Sequence, residues 1–477
     1  MSFLDLDQNS DKMAELFLRM GVEKSDNVVL LLDKSLFFVV AYIGLLKIGA
    51  VTVPLNPGFK KSELTYLLND AAPSLVIINP DKSEMIEQID PGLHRLEVDT
   101  TVPFQEMTLL NSCSGQLAGE ELDSDDPALI IYTSGTTGAP KGAVLTQKNL
   151  LNDAENIINI WAISGSDTVC HILPLFHVHG LCFALTTPLL AGAHVVLLDT
   201  FIPENVIEKL KEDKGELACS VFMGVPAMYS KLIDTIGDQS FRFDHMRLWT
   251  SGSAPLSIKD FQKIKDIFGK EVVEREGMSE TGMNFSNPLE GEKKEGSIGL
   301  PLSGLEVRIV DPENFSDVEP GEVGEFWLKS DSISTMYWKK PEETAKTYEQ
   351  GWFKTGDMGK KDRDGYYYLT DRLKNIIITG GENVSPNEVE AVIGRLDEVV
   401  ESAVIGVDDE KWGEKIVAAV VKRPGSDDIS TAIKNICKEH LHDWKCPKEI
   451  FFVKALPRNS MGKILKEELK ALFHTGS

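Results

Sequence analysis

The stretch from Ile130 to Leu145, IIYTSGTTGAPKGAVL, constrains the fold of this chain more than any other. An apolar run ends abruptly at Tyr132, a loop of threonine, serine and glycine follows, and the chain turns apolar again after Lys141. This pattern predicts a strand, a tight loop, and then a second strand or a helix. Because no side chain between Tyr132 and Pro140 is larger than threonine, the backbone N–H groups of the loop can approach a ligand closely.

The same loop has the chemistry that a phosphate group needs. Exposed N–H groups, several hydroxyls and one ammonium group form a cradle for phosphate oxygens. The loop departs from the Walker pattern, which requires serine or threonine directly after the lysine, since Gly142 follows Lys141 here. The alternative is a flexible surface loop, but so many hydroxyls between two apolar runs are hard to explain in a mere connection. The residues predicted to contact phosphate are Thr133, Ser134, Gly135, Thr136, Thr137 and Lys141.

Length and charge narrow the classes of protein. The chain has 477 residues, whereas a single core usually stops growing at about 250–300 residues, so at least two domains are expected. The net charge of −25 argues against nucleic acids and anionic membrane surfaces as partners. The excess of acidic residues lies in the first part of the chain. From Arg372 to the end there are 16 basic and 17 acidic residues, whereas the part before Arg372 has 33 basic and 57 acidic residues. An anionic ligand would therefore meet less repulsion at the C-terminal part.

The cysteines and the apolar segments indicate in which cellular compartment the protein is expected. Six cysteines show no CxxC pair and no zinc spacing, which favours free thiols in a reducing compartment. The longest apolar stretch, Leu36 to Leu46, is too short to span a bilayer. No charged leader with an apolar segment and a small-residue cleavage site opens the sequence. These features predict a cytoplasmic protein without membrane insertion.

Apolar runs and amphipathic segments alternate along the N-terminal part. Val51–Pro57 has the pattern of a buried strand, Lys61–Asp70 that of a helix, and Ser74–Ile78 is a further apolar run. Ser220–Ile233 predicts a strand, a turn and a helix. Such alternation is typical of a parallel α/β layer. The polar and acidic segment Pro80–Asp126 predicts loop and edge structure.

Four further motifs accompany the glycine–threonine loop: HILPLFHVHGL at 171–181, VVEREGMSETGMNFSNP at 272–288, a TGD and a DR within 351–390, and LPRNSMGKILK at 456–466. Together they resemble the AMP-forming acyl-CoA synthetases of the adenylate-forming superfamily, and within it the malonyl-CoA synthetases most. The resemblance covers about residues 28–463. It implies an α/β fold, α+β overall, with a large N-terminal domain of β-sheets layered with helices. A small, mobile C-terminal α+β domain, joined by a hinge, would carry the catalytic lysine. The implied domains are residues 1–370, which bind AMP and the acyl group, and residues 371–477.

The resemblance also assigns roles toward ATP, Mg²⁺ and CoA. Glu280 would hold Mg²⁺ between phosphate oxygens, and Lys463 would be the lysine used in adenylation, so the implied catalytic residues are Lys463, Glu280 and Thr133. Asp357, in TGD, would accept hydrogen bonds from both ribose hydroxyls, and Arg372 at the hinge would reach the nucleotide. Gly380 and Gly381 resemble the loop that lines the pantetheine tunnel, although paired glycines are equally typical of a bare hairpin. The other implied nucleotide-binding residues are Ser253, Ala254, Pro255, Glu274, Glu276, Gly277, Ser279 and Lys374. Glu276 stands where the family usually has tyrosine.

Four residues are predicted to line the acyl pocket: His177, Lys231, Arg275 and Met278. His177 would either donate a hydrogen bond to a carboxylate or form a wall, and metal binding by His171, His177 and His179 lacks a nearby Asp, Glu or Cys to complete the ligand set. A guanidinium suits bidentate binding of a second carboxylate, which favours Arg275. The alternatives are an ion pair of Arg275 with a neighbouring glutamate and a solvated helix face for Lys231.

The resemblance implies an ATP-dependent acid–thiol ligase in fatty acid metabolism. A small carboxylate, malonate-like or another short acyl group, would attack the α-phosphorus of ATP, and the thiol of CoA would then displace AMP. Two alternatives stay open: an adenylation enzyme that loads a carrier-protein thiol, and a nucleotide-binding pseudoenzyme. The implied partners are the carboxylate, ATP and CoA, with no nucleic acid and no membrane, and a homodimer is left open.

Overall fold

The structure, a computed structural model, describes residues 1–101, 105–117, 121–133, 139–237, 243–380, 382–409, 411–425, 428–458 and 464–475. The chain forms two compact units: unit 1 is residues 1–307 with 328–353, and unit 2 is residues 308–327 with 354–477. The domain boundary between residues 370 and 371 stays a prediction.

The helices alternate with the strands throughout both units. They are α1 Phe3–Arg19, α2 Leu36–Lys47, α3 Lys61–Ala71, α4 Ser83–Ile89, α5 Gln147–Trp161, α6 Thr187–Leu190, α7 Pro203–Lys211, α8 Pro226–Ile236, α9 Ile258–Phe268, α10 Pro341–Thr347, α11 Pro386–Ile393, α12 Ser430–His440 and α13 Lys466–Thr475. No described helix combines the length and the apolar character that crossing a membrane requires.

The strands are short in unit 1 and longest in unit 2. They are β1 Asn27–Leu31, β2 Val51–Pro54, β3 Leu75–Ile78, β4 Arg95–Glu97, β5 Pro127–Thr133, β6 Lys141–Thr146, β7 Thr168–His171, β8 His194–Leu197, β9 Val221–Gly224, β10 Leu248–Ser251, β11 Val273–Met278, β12 Gly282–Ser286, β13 Leu300–Pro301, β14 Glu306–Val310, β15 Gly324–Lys329, β16 Met336–Tyr337, β17 Tyr348–Glu349, β18 Trp352–Lys361, β19 Tyr367–Arg372, β20 Ile377–Thr379, β21 Glu382–Val384, β22 Val399–Asp409, β23 Gly413–Lys422 and β24 Glu449–Phe452.

Unit 1 contains two seven-stranded sheets. The first has the order β16-β6-β5-β2-β1-β3-β4, with parallel pairing from β5 to β4 and antiparallel pairing at β5–β6 and β6–β16. The second has the order β13-β12-β11-β10-β9-β7-β8 and is parallel except where β12 pairs with β11 and β13. The predicted parallel α/β layer is confirmed. Strands of this kind are buried on both faces, as the fully buried runs of β1, β2 and β3 are.

The described part of Pro80–Asp126 has edge structure as predicted, but it also contains helices that were not predicted, among them α4 and the 3₁₀ helix Gln105–Ser112. Strand β4 lies at the edge of the first sheet. Within α4, Ile86 is buried and Met85 and Ile89 pack against the same core cluster. This short apolar face supports the helix although its other residues are polar.

Unit 2 is built around a sheet with the order β21-β20-β23-β22, in which β24 pairs parallel with β23. Helices α11 and α12 contribute Val389, Ile433 and Cys437 to a core on this sheet. A further sheet contains β14, β15 and β18, with β19 pairing antiparallel with β18. The register of that last pair places Asp357 opposite Arg372.

Candidate active site

The predicted phosphate loop connects two antiparallel strands. Thr133 ends β5, Lys141 begins β6, and the two residues face each other in the register. The Thr133 hydroxyl donates to the Lys141 carbonyl at 3.4 Å. The continuation after Lys141 is therefore a strand rather than a helix. Residues Ser134, Gly135, Thr136 and Thr137 lie outside the described residues.

The Lys141 side chain is held by acidic and aromatic partners. Its ammonium group forms an ion pair with Glu343 of α10 and lies 5.4 Å from the centre of the Tyr337 ring. The hydrogen bond from Lys141, with a second from Lys346, lowers the pKa of the Glu343 carboxyl. A triphosphate that binds Lys141 would compete with Glu343 for its ammonium group.

Glu280 lies in the turn between β11 and β12 and is buried. The Tyr337 hydroxyl donates to Glu280 Oε1 at 2.9 Å, and Ser334 N donates to the Glu280 carbonyl at 2.7 Å. Burial, and then the nearby Glu280 carboxylate, raise the pKa of Tyr337. Tyr337 thus contacts both the predicted metal ligand Glu280 and the predicted phosphate ligand Lys141.

The β11–β12 hairpin carries several predicted nucleotide contacts. Burial raises the pKa of Glu274 to about 7, although a hydrogen bond from Gly296 N acts to lower it. Glu276 is half-buried and accepts a hydrogen bond from Asn284 Nδ2 at 3.0 Å. A Cβ atom on Gly277 would lie 2.5 Å from the Gly282 carbonyl oxygen, so only glycine lets the two strands approach at this bulge. Met278 and Ser279, which follow, are half-buried.

Arg275 is the most unusual side chain of this hairpin. It is 4% exposed, and its Nε and Nη2 atoms have no hydrogen-bond partner among the described residues. The guanidinium carbon lies 5.0 Å from the centre of the Phe183 ring. A Cβ atom on Gly252 would lie 2.5 Å from Arg275 Nε, so the glycine that precedes Ser253 makes room for the guanidinium. Burial lowers the pKa of Arg275 to about 10, against attraction by Glu276 and Asp153, and the group is still charged at neutral pH.

The histidines of HILPLFHVHGL are neutral and largely buried. Burial lowers the pKa of His177 to about 4 and that of His171 to about 3. His179, which the sequence analysis assigned no pocket role, lies 3.4 Å through Nδ1 from Ser253 Oγ, and its buried Nε2 has no partner in the described part of the chain. Burial, and then the charge of Arg275, lower the pKa of His179. The described residues contain no group of three or more His, Cys, Asp or Glu that could hold a metal ion.

The remaining predicted residues of unit 1 are exposed. Ser253, Ala254 and Pro255 form an exposed segment after β10, in which Ser253 has a left-handed φ of 69°. Lys231 lies on the exposed side of α8 and forms no hydrogen bond or ion pair with a described residue. Of the two cationic residues predicted to bind a second carboxylate, Arg275 is therefore buried and Lys231 is exposed.

In unit 2, the structure brings Asp357 and Arg372 into contact. Their ion pair measures 2.8 Å from Nε to Oδ1. Asp371, which precedes Arg372, is buried and accepts hydrogen bonds from Arg372 N, Asn375 Nδ2 and Ser385 Oγ at 2.7–3.1 Å.

The predicted pantetheine loop is only partly described. Lys374 lies in a short 3₁₀ turn, Leu373–Asn375. Gly380 has a φ of 61°, and its N–H donates to the carbonyl of the exposed Trp412 at 2.7 Å. Gly381 and the predicted catalytic residue Lys463 lie outside the described residues.

The chain was compared with family models, with known proteins and with solved structures. The family model of AMP-binding enzymes matches residues 1–338, and that of the AMP-binding enzyme C-terminal domain matches residues 388–463. A malonate–CoA ligase of Arabidopsis thaliana is 34% identical over 482 residues, 94% of this chain and 78% of the relative. A long-chain-fatty-acid–CoA ligase of Bacillus subtilis is 32% identical over 506 residues, 98% of this chain and 89% of the relative. The crystal structure of ATP-bound MatB from Rhodopseudomonas palustris has a TM-score of 0.94 at 33% identity, covering 99% of this chain and 93% of that one.

A buried carboxylate, Glu280, that shares the partner Tyr337 with Lys141, in a chain of two compact units, agrees with an adenylate-forming enzyme. The chain belongs to the AMP-binding enzyme family. It is an AMP-forming acyl-CoA synthetase, which joins a carboxylate to CoA through an acyl adenylate at the expense of ATP.

Proposed function

We propose that this synthetase activates a short dicarboxylate of the malonate type, and that Arg275 binds the carboxylate that does not react. The observation that supports this is the buried guanidinium with two N–H-bearing atoms left without a partner among the described residues. The alternative role, an ion pair with a neighbouring glutamate, is supported less well: Glu276 attracts the guanidinium, but Arg275 forms no ion pair or hydrogen bond with a described residue, and Nε and Nη2 stay without a partner there.

A buried cation needs an anion. Moving a charge out of water is costly unless it is paired and hydrogen-bonded. A guanidinium presents its donors in a planar fork that matches a carboxylate. A carboxylate on the substrate would satisfy Nε and Nη2 of Arg275, whereas the apolar tail of a long fatty acid would leave them unsatisfied. The name of the malonate–CoA ligase relative supports the same substrate class.

For adenylation, the chain supplies position and charge rather than a nucleophile. Thr133 and Lys141, with Ser134, Thr136 and Thr137, would orient the β- and γ-phosphates, and Lys463 would bridge the attacking carboxylate and the α-phosphate. Both groups act on charge that grows on oxygen in the transition state. Lys141 exchanges its partner Glu343 for the triphosphate in this scheme.

Mg²⁺ fits the residues present at Glu280. Mg²⁺ prefers oxygen ligands, keeps several waters and often uses one or two carboxylates together with substrate phosphates. Glu280 is one such carboxylate, and Tyr337 fixes it through Oε1. When bound, the ion would neutralise phosphate charge.

CoA is the proposed acceptor in the second step, with Gly380 and Gly381 beside its pantetheine arm. Asp357 would accept from the ribose hydroxyls once Arg372, its present partner, turns to the nucleotide. The six free cysteines support our proposal of a reducing compartment, the cytoplasm. A place in fatty acid metabolism and a homodimer remain predictions of the resemblance.

The test is a pyrophosphate-release assay over mono- and dicarboxylates of about two to eight carbons. We expect the wild type to favour short dicarboxylates. Arg275→Ala should lower kcat/KM for these by about 10²-fold or more, the loss of two charge-assisted hydrogen bonds, and affect monocarboxylates far less. Lys231→Ala is the matched control, because Lys231 is the other predicted cation but is exposed. Unchanged dicarboxylate selectivity in Arg275→Ala would refute the assignment.

A further inference from the structure

The Tyr337 side chain lies between two residues with proposed roles toward ATP. Its hydroxyl donates to Oε1 of the buried Glu280 at 2.9 Å, and the centre of its ring lies 5.4 Å from the Lys141 ammonium group. An ammonium group at this distance from an aromatic face is attracted by the ring quadrupole. One phenol therefore contacts both the carboxylate proposed to hold Mg²⁺ and the ammonium group proposed to bind the outer phosphates.

The backbone around Tyr337 fixes it relative to the lysine. The residue is 9% exposed and belongs to β16, which pairs with β6. Its backbone N–H donates to the Thr344 hydroxyl at 3.0 Å, which ties the strand to α10. The next residue, Trp338, donates through its backbone N–H to the Gly142 carbonyl at 2.7 Å. Because Gly142 directly follows Lys141, these contacts hold the tyrosine and the lysine in one arrangement.

The hydroxyl of Tyr337 can orient Glu280 and still leave it free to bind a cation. An ionised carboxylate offers two oxygens with about four lone-pair sites. The contact with Tyr337 uses one of these sites, on Oε1, and leaves the other oxygen for a metal ion. Without this hydroxyl, a buried carboxylate would lose a hydrogen bond that fixes its direction.

We propose that Tyr337 is a positioning residue for the metal-bound form of ATP: its hydroxyl orients Glu280 toward Mg²⁺, and its ring holds Lys141 beside the same phosphates. The inference rests on the proposed function, with Glu280 as the metal ligand and Lys141 as a phosphate ligand. Tyr337 itself would touch neither the nucleotide nor the ion. The effect of its hydroxyl should therefore depend on Mg²⁺, whereas the effect of its ring should not.

The experiment measures, by calorimetry, the binding of an ATP analogue with a methylene bridge between the α- and β-phosphates, which the enzyme cannot turn over. Affinity is measured with Mg²⁺ and with a chelator in its place. Tyr337→Phe removes only the hydroxyl, and we expect it to weaken binding about tenfold with Mg²⁺ and less than about twofold without it. Tyr337→Leu also removes the ring and should weaken binding by a further factor of about two to five under both conditions.

Tyr132→Phe is the matched control. The Tyr132 hydroxyl also donates to a carboxylate, that of Asp70 at 2.7 Å, but this carboxylate has no proposed role toward the ion. The control should bind the analogue as the wild type does under both conditions. AMP, which lacks the outer phosphates, should bind all variants with wild-type affinity, which also shows that they are folded.

A double variant shows whether the hydroxyl acts through Glu280. If it does, adding Tyr337→Phe to Glu280→Gln should weaken binding in Mg²⁺ by less than about twofold beyond Glu280→Gln alone, because residues that act through one another are not additive. A full tenfold further loss, of the order expected for an independent charge-assisted contact, would mean that the tyrosine acts without Glu280.

Several other outcomes would overturn the role of Tyr337. Equal weakening with and without Mg²⁺ in Tyr337→Phe would make the hydroxyl a structural contact only, and equal affinities of the Phe and Leu variants would exclude the ring. A wild type that binds the analogue equally well without Mg²⁺ would contradict the metal role of Glu280 itself. The analogue binds without a carboxylate, so a wild type that binds it but activates no dicarboxylate would contradict the proposed substrate class alone.

Discussion

Asp153 provides a direct test of the electrostatics around Arg275. This residue of α5 is 5% exposed, and its Oδ1 accepts a hydrogen bond from Met283 N at 2.8 Å. Burial raises the pKa of its carboxyl to about 7, although the Met283 N–H and the charge of Arg275 both oppose the rise. Besides Arg275, the buried thiol of Cys182 also interacts with this carboxyl group. The substitution to test is Asp153→Asn, which keeps an acceptor for Met283 N but removes the charge.

The sign and size of the effect follow from linkage. The pKa of Asp153 rises from an ordinary 3.8 to about 7, so between these values the folded state holds a proton that the unfolded state has lost. The stability contributed by the protonated form is therefore complete below pH 3.8 and is lost as the pH rises to about 7. Over a window of roughly three pH units the cost is at most about 4 kcal/mol. Asp153→Asn should match the wild type in acid and be more stable than it above neutrality.

The assay is thermal or urea unfolding of both proteins from about pH 4 to about pH 8. Because a chain with two units need not unfold in one step, the quantity to compare is the difference in midpoint at each pH. We expect this difference to grow with pH and then level off. Glu155→Gln, an exposed carboxylate on the same helix, is the control and should show no such trend. A constant difference, or one that is largest in acid, would refute the reasoning.

Three further predictions concern the two half-reactions. Glu280→Gln should lower the rate of adenylate formation by about 10²–10³, since it removes a preorganised charge beside the triphosphate; unchanged pyrophosphate release would contradict this. Lys463→Ala should abolish adenylate formation far more than thioester formation from a supplied adenylate, and equal loss in both would show that the lysine has another role. Gly380→Ala should slow thioester formation while sparing pyrophosphate release, because Gly380 has a φ of 61° and a Cβ atom there would lie 3.1 Å from Trp412; its strain is about 1 kcal/mol.

The repeating elements of unit 1 could be predicted from sequence. The alternation at Val51–Pro57, Lys61–Asp70 and Ser220–Ile233 corresponds to β2, α3, and β9 with α8. Buried parallel strands have continuous apolar runs, which are visible without any partner. Helix α4 was not predicted because its apolar face is only Met85, Ile86 and Ile89, too few positions to stand out from a polar segment.

Which side chains contact each other in the candidate site could not be predicted, because these contacts join residues that are far apart in the sequence. Tyr337 reaches Glu280 because β16 joins the outer edge of the first sheet beside β6. Glu343 is 202 positions from Lys141 in the chain, and only the placement of α10 brings them together. Arg275 was predicted from its residue type and the family motif, but its lack of a partner became visible only with the packed hairpin.

The ion pair between Lys141 and Glu343 has a consequence for turnover. Glu343 is the counter-ion of this lysine in the structure. If Lys141 binds the outer phosphates as proposed, glutamate and triphosphate are two anions for one ammonium group, and the nucleotide gains only the difference between them. AMP has no β- and γ-phosphates, so in that scheme Glu343 would keep the lysine once pyrophosphate departs. A glutamate that touches no reacting atom would then favour the exchange of spent nucleotide for fresh nucleotide.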